Sequence, residues 1–115
     1  MALKFRDEII VEKILNNCWN KVVSIFKFSD VCNSVMDKMR YFIAEFILGE
    51  RPYLSRSFFI VQTRDYSNIW CNFEIFNVDD NFQSLCVKLK VRRDTYTDEF
   101  NITIPYPDEI SYKRH

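Results

Sequence analysis

The chain holds a single glycine, Gly49, and it falls where the hydrophobic pattern changes period. Ahead of it, apolar residues recur at helical spacing. From Ser57 onward they alternate. A residue without Cβ adopts positive φ at the end of a helix, and Pro52 then prevents continuation. The chain therefore divides into a helical first part and a stranded second part. The scarcity of glycine also excludes glycine-built phosphate cradles and leaves the turns to Asn and Asp.

Two amphipathic helices are expected before Gly49. The first runs over 8–26, with Asp7 able to cap its free N–H groups. Its stripe is Ile10, Ile14, Cys18, Val22 and Ile25, with Val11, Leu15, Trp19 and Phe26 beside it. Asn16, Asn17 and Asn20 weaken its intrinsic helicity, so packing must hold its middle. After a break at Lys27–Asp30, the second helix runs over 30–48 on Val31, Val35, Met39, Phe42 and Phe46, widened by Met36, Ile43 and Ile47. A short link lets the two form an antiparallel hairpin.

Four strands follow, over 57–64, 68–78, 82–93 and 99–104, with turns at Asp65–Ser67, Asp79–Asn81 and Asp94–Asp98. The second places Ile69, Cys71, Phe73 and Ile75 on one face, and Trp70, Asn72, Glu74 and Phe76 on the other. In the third, Leu85, Val87, Leu89 and Val91 oppose Cys86, Lys88, Lys90 and Arg92. Pro105 and Pro107 end the fourth, since proline cannot donate to a ladder. A polar tail covers 108–115. Short connections favour an antiparallel meander. The expected fold is α+β: a helical hairpin on a four-stranded antiparallel sheet, in two layers and one domain over 1–115.

Sixteen basic and sixteen acidic residues leave no net charge, so no global field draws the chain to nucleic acid or to an anionic membrane. No apolar run is long enough to span a bilayer. With no signal peptide, Cys18, Cys32, Cys71 and Cys86 read as reduced thiols of an intracellular protein, cytoplasmic or nuclear. Their wide spacing suits neither zinc nor any other metal, and no cofactor motif is present. The sole histidine, His115, is the last residue, a poor place for catalytic geometry. No enzyme is expected.

Two surfaces stand out. Lys88, Lys90, Arg92 and Arg93 form a basic strip. Its ordinary explanation is a solvated sheet face with Glu74 opposite, and its functional ones are an acidic protein or, less favoured, nucleic acid. Trp70 and Phe76 are the candidate protein interface, because large aromatics dominate binding hot spots. Phe59 and Val61 extend it if their strand pairs in the right register. A bulge after Ile75 would instead turn Phe76 inward. The leading expectation is a non-enzymatic protein–protein interaction domain, a homodimer or a subunit of a complex, using an exposed sheet face or edge. The alternatives are a nucleic-acid-binding module on the basic strip and a small apolar-ligand-binding domain.

Overall fold

The computed structural model describes residues 5–26, 29–48, 54–78, 84–93 and 96–105. The helix stop at Gly49 and Pro52, the Asp79–Asn81 turn, the start of the Asp94–Asp98 turn and the tail 108–115 lie outside these residues, as does the Asp7 side chain.

The first helical segment is two helices, α1 (Phe5–Asn16) and α2 (Trp19–Ile25), where one was expected over 8–26. Asn17 and Cys18 donate their backbone N–H groups to Ile14 and Leu15 at 3.2 and 2.9 Å, three residues back instead of four. The Asn17 carboxamide donates to the Lys13 carbonyl at 2.7 Å. Asparagine competes with the helix for backbone partners, and Asn16 and Asn17 place that competition in one turn. The buried stripe survives the break: Ile10, Val11, Ile14, Leu15, Cys18, Val22 and Phe26 are all buried.

The third helix, α3 (Ser29–Leu48), buries Val31, Val35, Met36, Met39, Ile43 and Phe46, as its spacing predicts. It packs against α1. Arg40 ties the pair by bonding Glu12 at 2.6 Å on α1 and Asp37 at 2.7 Å on its own helix.

The strands are β1 (Leu54–Gln62), β2 (Asn68–Asn77), β3 (Ser84–Arg92) and β4 (Thr97–Pro105). They form the expected antiparallel meander in the order β1-β2-β3-β4. The β1–β2 turn sets the register. Thr63 donates its N–H to Ser67 at 2.9 Å, and Tyr66 donates back to Thr63 at 3.0 Å. Tyr66 sits at φ 65°, a left-handed conformation that a side chain makes costly. The Thr63 hydroxyl and the Ser67 N–H both donate to the Asp65 carboxylate. These bonds hold that carboxyl below the usual aspartate range and fix Gln62 opposite Asn68.

Of the helices, α3 packs against β1 and β2, and α2 against β4. The Phe42 ring of α3 stacks on Phe59 and Phe73, with centroids 6.0 and 6.2 Å away. Cys71, Phe73 and Ile75 on β2, and Val87, Leu89 and Val91 on β3, are fully buried beneath the helices. Each large apolar side chain so buried stabilises the fold by about 1.5–3 kcal/mol.

Candidate functional site

Side chains on the other sheet face form rows set by the register. Ile60, Trp70 and Arg92 make one row. Phe58, Asn72, Lys90 and Glu99 make the next. Arg56, Glu74, Lys88 and Asn101 follow, and then Phe76, Cys86 and Thr103. No described helix or strand lies over this face.

Its apolar part is concentrated on β1 and β2. Phe58 is 54% exposed and Ile60 42%. The Phe58 and Trp70 rings lie 5.7 Å apart at 32°. Trp70 and Phe76 are half-buried, and neighbouring cations lie against them: Arg92 is 5.4 Å from the Trp70 centroid and Lys88 5.8 Å from that of Phe76. The ladder runs unbroken through Ile75 and Phe76, so no bulge turns Phe76 into the core.

Phe59 and Val61 do not belong to this patch. They are 7% and 5% exposed, beneath the helices, opposite Cys71 and Ile69. Directly opposed residues of an antiparallel pair share a face. The apolar residues that β1 contributes to the open side are Phe58 and Ile60. A sequence signal for this existed. A three-residue turn at Asp65–Ser67 would set Arg64 against Asn68, two residues off the observed pairing of Gln62 with Asn68, but the same parity already puts Phe59 on the face of Cys71 and Phe73.

Arg93 leaves the basic strip for the same reason of alternation. One residue past Arg92, it points to the helix side. Its guanidinium donates to the Ile25 carbonyl at 2.5 Å and to the Tyr96 hydroxyl at 2.8 Å. It also lies over the Phe26 and Tyr96 rings at 5.5 and 5.3 Å. It is a clasp between the end of α2 and the end of β3. Lys88, Lys90 and Arg92 do share the open face and are exposed.

The open face carries four cations, Arg56, Lys88, Lys90 and Arg92, against two carboxylates, Glu74 and Glu99, among the described residues. Glu74 pairs with Arg56 at 3.1 Å. Among the described residues no carboxylate forms an ion pair with Lys88, Lys90 or Arg92. Between these groups lies an open depression of about 520 Å³. Asn72 and Asn101, shorter than their neighbours, leave room in it. Phe58, Arg56, Lys88 and Lys90 rise around it.

All four cysteines are buried and free. Burial pushes the Cys18 and Cys71 thiols up to about 12 and raises those of Cys32 and Cys86. The Cys86 thiol donates to the Asn101 carboxamide oxygen at 3.0 Å. Protonated thiols are weak nucleophiles and weak metal ligands. Among the described residues no three His, Cys, Asp or Glu side chains are grouped closely enough to hold a metal ion. No described helix is long and apolar enough to cross a membrane. Comparison with family models, with curated proteins and with solved structures finds no match to this chain.

Proposed function

We propose that the chain is a non-enzymatic protein-binding domain that works as a dimer or within a complex, through the open face of its sheet and the adjoining β1 edge. The observation that carries this is the contiguous patch of Phe58, Ile60 and Trp70, flanked by exposed cations. Aromatic anchors ringed by polar groups are the usual composition of a binding hot spot. A single exposed apolar residue needs no explanation, whereas neighbouring ones on adjacent strands favour a partner. Among the described residues β1 is an outer strand of the sheet with no strand paired to its other side, an edge suited to strand addition. On the helix side, Phe42 stacks on both Phe59 and Phe73. That filled interface favours a protein partner over a small apolar ligand held between helices and sheet.

A photo-crosslinking residue placed at Ile60, with Lys38 on the exposed side of α3 as the control position, tests the proposal in the native source. A protein adduct from position 60 and none from position 38 is expected. Equal labelling at both positions, or no adduct at position 60, would sink it.

A further inference from the structure

The same face also constrains its occupant. We infer that the partner is an acidic protein segment whose apolar side chain enters the depression at Asn72 while its carboxylates meet Lys88, Lys90 and Arg92. The inference rests on the protein-binding proposal and adds the partner's chemistry.

Three observations carry it. First, among the described residues the face is positive although the chain is neutral, with four cations against two carboxylates. Among the described residues only Arg56 of the four has a carboxylate within ion-pair distance, Glu74. A second copy seated face to face would set like charge against like charge, which costs affinity. An acidic segment supplies the missing sign.

Second, the depression lies within the cations' reach. Lys88 and Lys90 line it together with Phe58 and Asn72. An apolar side chain resting on Phe58 would hold neighbouring carboxylates beside both lysines. Burial at the centre and charge at the rim is the division of labour found in specific interfaces.

Third, the face is poorly made for nucleic acid. Bases bind by stacking on open aromatic faces, and here Arg92 and Lys88 already lie over the Trp70 and Phe76 rings.

Amide chemical shifts of the labelled full chain should be followed against three probes. These are a soluble peptide of glutamates with interspersed Leu and Phe, its counterpart with lysines replacing the glutamates, and single-stranded oligothymidylate. The acidic peptide is expected to shift the amides of Phe58, Asn72 and Lys90, more weakly as salt is added. The double variant Lys88→Glu/Lys90→Glu should weaken its binding by about tenfold or more. The variant Phe58→Ser, at a half-exposed position where the cost to folding is modest, should weaken it without changing the salt dependence. Binding of oligothymidylate but not of the acidic peptide would overturn both the inference and the protein-binding proposal. Binding of the lysine peptide equal to that of the acidic one would overturn the inference. So would self-association that shifts the same amides while none of the probes does, and the protein-binding proposal would then stand. A chain that stays monomeric, is shifted by no probe and gives no adduct at position 60 would overturn both.

Discussion

Phe58 and Phe59 are consecutive residues of one strand with opposite fates. Phe59 lies against Phe42 of α3 and is nearly sealed from water, while Phe58 is more than half exposed beside Trp70. Along β2, Phe73 is fully buried and Asn72 is exposed. The two faces are built on the same backbone ladders, so hydrogen bonding cannot distinguish them. The helix side gains its stability from close packing of apolar surface. The open side keeps its aromatics half wet and, among the described residues, leaves Lys88, Lys90 and Arg92 without a carboxylate partner, a condition that contributes little to folding and leaves surface to bury on binding.

The contrast breaks or holds most clearly at Phe73. Phe73→Ala leaves a cavity beneath Phe42 and should cost about 3–5 kcal/mol. Trp70→Ala, three residues earlier on the same strand but on the other face, should cost a small fraction of that. Urea unfolding of both variants measures the difference, and equal losses would mean that the open face is part of the folding core.

A second test uses the thiols on the covered side. Cys18 and Cys71 ordinarily titrate near 9.0, and burial lifts both to about 12. A group whose folded pKa is raised stabilises the fold fully below its unfolded pKa. That contribution is lost as pH climbs through the folded value. The wild-type chain should therefore lose stability between pH 9 and pH 12, by on the order of a few kcal/mol. The Cys71→Ala variant, though less stable at neutral pH, should show a shallower decline. An unchanged slope in that variant would show that Cys71 is not held in a dry site.

The smallest of the three effects is expected at Arg93, which separates its clasp from the basic strip. Arg93→Met removes the bonds to Ile25 and Tyr96 and should cost about 1–2 kcal/mol in thermal or urea unfolding. It should leave acidic-peptide binding unchanged, whereas Lys90→Glu does the reverse. Loss of binding in Arg93→Met with unaltered stability would return Arg93 to the strip.

Much of the fold was legible because period alone reports which backbone geometry can bury a stripe. The α3 stripe and the alternation of Leu85, Val87, Leu89 and Val91 each had one plausible partner surface, and each is buried as expected. The break at Asn17 and Cys18 was not legible from the stripe, because apolar spacing continues straight through it. Its signal was the adjacent Asn16 and Asn17, which were read only as weak helix formers. The candidate patch was half legible. Trp70 and Phe76 lie on the open side as alternation required. Phe58 and Ile60 were missed in favour of Phe59 and Val61, because both pairs are apolar and the strand taken alone does not say which pair faces in.

By itself, the sequence determined the order of helices and strands, the meander, and the alternation within each strand, since these follow from local spacing and short connections. Tertiary structure decided which face of β1 is covered, where Arg93 reaches, and that Arg92 and Lys88 lie over the Trp70 and Phe76 rings. These depend on strand register and on which side the helices fall. Register couples residues far apart in the chain, and a shift of one position would exchange the covered face for the open one.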